Sequence, residues 1–301
     1  MVPVMVIVKV AEILGLVALI GQGLGPVMGL LNLPAEAGII WAATLLTGVF
    51  GGLATLATLA GSFDITTAQL SALGAMMLFA HGIPVEQAIV RRAGAGFGVT
   101  ALLRIGTAIV YGGGVAWFCS SMNLLQTPSD LTWLQGQESG QHTQGIVLWI
   151  QSTLVSLTLT FAIITVLIVM LDAMEKTGFT RLLTRLILPL LKISGLDARV
   201  GPVTTVGVLL GITYGGALII EEAHKQNLSP RTRFLALSWL SLSHSLIEDT
   251  LLILAIGTDI WIILVGRVVL TLIIVALLAR LTNRGAWAIR PHEDSSKPAI
   301  S

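Results

Sequence analysis

Two histidines stand inside apolar stretches of this chain, and each is followed five residues later by an acid: His81 by Glu86, and His244 by Asp249. An ionisable side chain at bilayer depth costs about 2.5–3.5 kcal/mol even on permissive insertion scales, so each needs a partner or a task. Imidazole and carboxylate together can bind a cation, pass a proton or hold a polar solute. "HGIPVEQ", residues 81–87, adds Gln87 to the first cluster; "HSLIEDT", residues 244–250, adds Ser245, Glu248 and Thr250 to the second. Arg104 and Arg267 are structural charge partners, pairing carboxylates or capping the carbonyls of broken helices. Paired one to one with acids, they leave one of Glu86, Glu248 and Asp249 for a coupling cation or a proton. On an unbroken helix His244 and Glu248 share a face at i,i+4, the pair expected to ligate a metal if one binds. A plainer reading is equally open, in which each histidine is a buried ring satisfied by ordinary hydrogen bonds. Ser238, Ser241 and Ser245 recur at i, i+3 and i+7 and fit helix-packing contacts.

The elements that must position these groups are membrane helices. The chain of 301 residues is 54% hydrophobic and 11% charged, with 32 glycines and a net charge of +1. That composition predicts an all-α polytopic membrane protein and gives nucleic acid nothing to bind. Apolar runs fall at 3–31, 38–60, 66–90, 95–120, 147–171, 201–223, 229–257 and 259–281, and each approaches or exceeds the roughly 20 residues that span a hydrocarbon core. A single cysteine, Cys119, excludes an internal disulfide and a cysteine metal cluster. No P-loop, dinucleotide fingerprint or nucleophile elbow is present, so neither enzymatic chemistry nor an organic cofactor is expected; Na⁺ or H⁺ as a coupling ion is.

Shifted so that His81 falls on His244, the sequence aligns with itself without a gap. Glu12 meets Glu175, Pro26 meets Pro189, Gly48 meets Gly211, Gly52 meets Gly215, Gly94 meets Gly257 and Arg104 meets Arg267, while Glu86 falls opposite Asp249. Basic residues then orient the halves, because Lys and Arg remain cytoplasmic. Residues 12–37 hold none, whereas 175–199 hold Lys176, Arg181, Arg185, Lys192 and Arg199; at the next boundary but one the bias reverses, with Arg91 and Arg92 facing Leu254 and Ala255. Opposite bias in equivalent loops predicts an inverted-topology repeat, a ground plan of secondary transporters.

Both flanks of 201–223 are basic, so that segment is expected to be a re-entrant hairpin with its tip at Gly211, Thr213, Tyr214, Gly215 and Gly216, or else a tilted span with a snorkelling basic loop. Its mate, 38–60, then has its tip at Gly48, Gly51 and Gly52. Segments 13–33 and 176–196 are expected to lie along the interface. Pro84 should break the helix 66–90 just after His81. The resulting organisation is a first repeat over 1–120, a periplasmic loop 121–146 without Lys or Arg, a second, inverted repeat with its lead-in helix over 147–281, and a cytoplasmic tail 282–301. A mobile core with few helices left for a scaffold predicts a homo-oligomer in the lipid bilayer.

The stretch "GITYGGALIIEEA…LSPRTRFLALSWLSLSHSLIEDTLLILAIG", 211–257, resembles the nucleoside-recognition, or Gate, domain. That domain is shared by concentrative nucleoside transporters, the membrane part of ferrous-iron transporters and bacterial spore-maturation-type membrane proteins. The resemblance implies repeats of interfacial helix, re-entrant hairpin, broken helix and spanning helix in a bacterial inner membrane. It also implies ligand contacts from the hairpin tips and from the breaks at 81–87 and 244–250. Histidines at those breaks depart from the nucleoside transporters, which leaves the solute open. The expected function is cation-coupled transport of a small polar, nucleoside-like solute. The alternatives are a divalent-metal permease using His81, His244, Glu86, Glu248 and Asp249, and a non-transporting membrane protein that assembles with a partner.

Overall fold

The computed structural model describes residues 14–131 and 229–283 continuously, together with Val10, Leu134 and scattered residues between Leu154 and Glu221. Helices and turns make up these residues, with one isolated bridge between Thr66 and Pro128 and no strand among them. The lead-in 147–171, the segment 176–196, Thr213, Tyr214, Gly215, Gly216, most of the loop 121–146 and the tail beyond Asn283 lie largely or wholly outside the described residues.

Helix α1 (Leu16–Leu30) leaves Leu16, Leu19, Val27 and Leu30 exposed. From its second half the chain turns through 96° into α2 (Ala35–Thr47). Gly48 then separates α2 from α3 (Val49–Leu59) with φ +94°, a conformation that side chains with a Cβ rarely adopt. The chain doubles back there. Gly51 comes to lie against the Thr47 hydroxyl and Gly52 against that of Thr44, each too close to admit a methyl group. The segment expected as a hairpin over 38–60 is thus a helical hairpin over Ala35–Leu59.

Helix α4 (Thr67–Phe79) opens with a capping box: Thr66 Oγ1 accepts from the Gln69 N–H at 3.2 Å, and Gln69 Oε1 accepts from the Thr66 N–H at 3.1 Å. Its residues from Leu70 to Phe79 are buried on all sides, as a helix without a polar face must be. After a short break come α5 (Ile83–Arg92) and α6 (Phe97–Ser121). Helix α6 packs along α4 by placing Gly112 on Met76 and by an edge-to-face contact of Phe79 with Tyr111, ring centroids 5.5 Å apart.

The second described block begins with α7 (Pro230–Ser243), capped by Ser229, whose Oγ accepts from the Thr232 N–H at 3.1 Å. It continues through α8 (Glu248–Leu254), a π-helical turn at Trp261–Gly266, and α9 (Arg267–Asn283). A π turn leaves backbone carbonyls out of register, and the one at Ile262 accepts from Tyr111 Oη at 2.7 Å, tying α6 to this block.

Among the described residues, three stretches are long and apolar enough to cross a membrane: Thr67–Arg92, Phe97–Ser121 and Trp261–Thr282. The last carries an exposed stripe of Val265, Val269, Ile273, Leu277 and Leu281, spaced by four residues as one helix face. The run 229–257, for which the resemblance implies a break at 244–250, consists of two helices of 14 and 7 residues. Positive φ recurs at pairs of positions related by the shift that sets His81 on His244: Gly48 and Gly211 (+94° and +72°), Gly82 and Ser245 (+53° and +45°), Gly94 and Gly257 (+101° and +92°).

Candidate functional site

The two histidines sit in the two helix breaks. Helix α4 stops at Phe79 and α5 starts at Ile83, leaving His81 between them; α7 stops at Ser243 and His244 is its C-cap. A left-handed residue follows each histidine and turns the chain out of the helix. Pro84 sits in the first turn of α5, where its missing N–H costs nothing. The N–H groups freed by the breaks are taken up by carbonyls distant in the chain: Gly82 N–H donates to Thr44 O at 3.0 Å, and Ser245 N–H to Gly207 O at 3.2 Å. Thr44 and Gly207 are themselves mates under the same shift, so each break is met by a carbonyl at an equivalent position. The Ser245 hydroxyl also lies against Gly211.

The imidazoles are held alike. His81 Nδ1–H donates to Met77 O at 2.8 Å, and His244 Nδ1–H donates to Leu240 O at 3.1 Å. A carbonyl only accepts, so Nδ1 carries a proton, and in a neutral ring Nε2 then presents a lone pair. Those two Nε2 atoms face each other at 2.9 Å. Around them stand Glu86 Oε1, 3.2 Å from His81 Nε2; Glu86 Oε2, 3.2 Å from His244 Nε2; and Asp249 Oδ2, 3.5 Å from His81 Nε2. All of these residues are buried. Imidazole lone pairs and carboxylate oxygens converge on one point, an arrangement that a cation, whether a proton or a metal, stabilises. The ligand atoms of His81, Glu86 and His244 lie within 4.8 Å of one another, close enough to hold one ion.

The fully buried arginines tie this cluster to the helix ends. Arg104 donates from Nε to Phe79 O at 2.8 Å and from Nη2 to His81 O at 3.0 Å. Arg267 donates from Nε to Leu242 O and from Nη2 to His244 O, both at 3.0 Å. Under the internal shift these are the same bonds. They differ at the third nitrogen. Arg104 Nη1 pairs with Glu86 Oε2, whereas Arg267 Nη1 and Asp249 Oδ2 each have no hydrogen-bond partner among the described residues. One arginine therefore both caps a broken helix and binds an acid, and the other caps alone, beside the Phe79 ring with Cζ 5.9 Å from its centroid. Of these two arginines, only Arg104 pairs with an acid among the described residues.

Glu248 does not join the histidines. The i,i+4 relation with His244 presumed an unbroken helix, and the break at 244–247 removes it; Asp249, the first-turn neighbour of Glu248 in α8, takes the place beside His81. Gln87 is buried next to the cluster, with Oε1 accepting from Thr100 Oγ1 and Nε2 unpartnered among the described residues. Its mate in the second half, Thr250, is also buried with an unpartnered hydroxyl, as are Ser238 and Ser241 in α7. Residue types alone could not point to Met77, Leu240, Phe79, Leu242, Thr44 and Gly207, because they act through backbone carbonyls. The internal shift is the signal that finds the second member of each pair once the first is known.

No protein-family model matches the chain, and no solved structure matches it. Among curated proteins it is similar to the uncharacterized membrane protein YvoD of Bacillus subtilis (strain 168), 24% identical over 269 residues that cover 84% of this chain and 80% of that protein. Similarity of that extent to a membrane protein, joined to helices of spanning length and apolarity, makes this chain a helical membrane protein.

Proposed function

We propose that the protein is a secondary transporter of a small polar solute, with a cation bound at the histidine–carboxylate cluster. The observation that carries this reading is the convergence of His81, His244, Glu86 and Asp249 at two broken helices inside an apolar bundle. Intramembrane ionisable groups gathered at interrupted helices are the means by which transporters of this kind hold ions and solutes. The helix breaks, the carbonyls that meet them and the arginine bonds all recur at shifted positions, which supports two equivalent units. The charge bias of the loops supports their opposite orientation.

On this reading each unit consists of an interfacial helix, a re-entrant hairpin, a broken helix and a span, as the Gate-domain resemblance implies. The chain lies in a bacterial inner membrane with the 121–146 loop outside and the 282–301 tail inside, and it works as a homo-oligomer driven by Na⁺ or H⁺. The test is uptake of nucleosides and other polar solutes into proteoliposomes under imposed Na⁺ and H⁺ gradients, preceded by a thermal-shift screen of the purified protein. Binding to the folded state alone must raise apparent stability. A solute that shifts the melting point and is accumulated under a gradient supports the proposal; accumulation that is unchanged in both His81→Ala and His244→Ala removes the site assignment.

A further inference from the structure

The geometry points to a reversible site for one divalent first-row transition ion, such as Zn²⁺, Mn²⁺ or Fe²⁺, between His81 Nε2, His244 Nε2, the Glu86 carboxylate and Asp249 Oδ2. It rests on the reading of this cluster as the ligand site, and it narrows the chemistry of the cation bound there. Three observations carry it.

The first is the orientation of the rings. Both Nδ1–H groups are committed to backbone carbonyls, at Met77 and Leu240, which turns both Nε2 lone pairs inward. A histidine whose other nitrogen donates to a carbonyl is in the tautomer and pose that metal-binding histidines adopt. The second is the distance between the nitrogens. Two metal–nitrogen bonds of about 2.0–2.1 Å at a tetrahedral angle separate the nitrogens by about 3.3 Å. The observed Nε2–Nε2 distance of 2.9 Å is a few tenths of an ångström short of that, within the reach of small rotations about χ1 and χ2. The third is the donor set. Two nitrogens and two carboxylates select transition ions, since Na⁺, Mg²⁺ and Ca²⁺ take oxygen ligands. Asp249 Oδ2 is buried without a hydrogen-bond partner among the described residues, so it is available as a ligand.

The arginines permit this and also limit it. Arg104 and Arg267 point two nitrogens each at carbonyls of the broken ends of α4 and α7, where helix C-termini gather partial negative charge. Much of their charge is answered there, which leaves the carboxylates to face the ion. Arg104 nonetheless competes for Glu86, so the ion is exchangeable rather than permanent. Binding that weakens and reverses suits a transported or co-transported ion.

The experiment is Co²⁺ and Zn²⁺ titration of the purified full-length protein in detergent, with Co²⁺ visible bands as the readout. One equivalent should bind, and a hundredfold excess of Na⁺ should not displace it. His81→Ala and His244→Ala should each weaken binding at least a hundredfold, and Glu86→Gln about tenfold. The triple variant His142→Ala, His224→Ala, His292→Ala should bind as the parent does, since His81 and His244 are then the only histidines left. Should the single variants fail to fold, pulsed EPR of Cu²⁺ on that triple variant decides: imidazole-nitrogen modulation supports the site, and its absence overturns it. Lack of saturable binding, binding indifferent to both cluster histidines, or displacement by Na⁺ also overturns it. Solute uptake that persists in chelator without metal binding removes this site and leaves the transport proposal standing; metal binding without any uptake does the reverse.

Discussion

The break after His81 and the break after His244 reach the same geometry from different sequences. The first is written Gly82-Ile83-Pro84, the second Ser245-Leu246-Ile247. Gly82 has φ +53° and Ser245 φ +45°, and a carbonyl outside the helix, of Thr44 and of Gly207 respectively, accepts the N–H of each. Proline belongs to one break only, so it is not what opens the helix; a left-handed residue whose N–H has a partner outside the helix is. The second break holds a serine in a conformation that disfavours any residue with a Cβ, at a cost on the order of 1 kcal/mol. It persists because Gly207 and Val208 accept the Ser245 and Leu246 N–H groups. The two sites are also unequal in their charges, since only Arg104 has a carboxylate on its third nitrogen among the described residues.

Breaking that comparison at the histidines should have the largest effect. His81→Ala and His244→Ala are expected to lower uptake at least a hundredfold each while leaving the elution profile on size exclusion unchanged. The losses should be alike, because the two Nε2 atoms share one point; a variant with full uptake would detach its break from the site. At the arginines the two halves should separate. Arg104→Met removes a buried ion pair as well as two caps and is expected to cost about 3–5 kcal/mol. Arg267→Met should cost less, because its Nη1 has no hydrogen-bond partner among the described residues to lose. Thermal unfolding in detergent measures the difference, and equal destabilisation would show that the Glu86 pair adds nothing.

The left-handed residues come next. Gly82→Ala should destabilise by about 1–2 kcal/mol, whereas Ser245→Gly should stabilise by about 0.4–1 kcal/mol. A loss in the second case would mean that the Ser245 hydroxyl against Gly211 matters more than its backbone. The smallest expected effect is that of Pro84→Ala, within about 1 kcal/mol in stability and with uptake retained, because the turn is made at Gly82. A large loss there would return the break to the proline.

These differences also explain how much could be read beforehand. Pro84 announced the first break, and glycine spacing announced the first hairpin, because backbone-special residues leave a mark in sequence. Nothing marks Ser245 as left-handed, so the second break is expected only from the resemblance and from its mate, and the i,i+4 pairing of Glu248 with His244 takes no account of it. Asp249 holds the cluster position, in keeping with its alignment to Glu86 rather than with any helical face. The joining of His81 to His244 was legible only as a shared depth. The carbonyls that fix both rings and both arginines have no residue type to betray them.

The buried arginines have a consequence for how the chain enters the bilayer. Arg104 lies two turns into α6, and its described partners are the Phe79 and His81 carbonyls and Glu86, on the α4–α5 segment. Alone in lipid, α6 would carry a naked guanidinium, and the α4–α5 segment would carry loose carbonyls and the Glu86 side chain. Neither is a tolerable resident of hydrocarbon until the other arrives. The two segments therefore satisfy each other's polar groups and are better tolerated in lipid together than singly. The same dependence makes α9, which brings Arg267 to the end of α7, the piece whose arrival locks the second half in place.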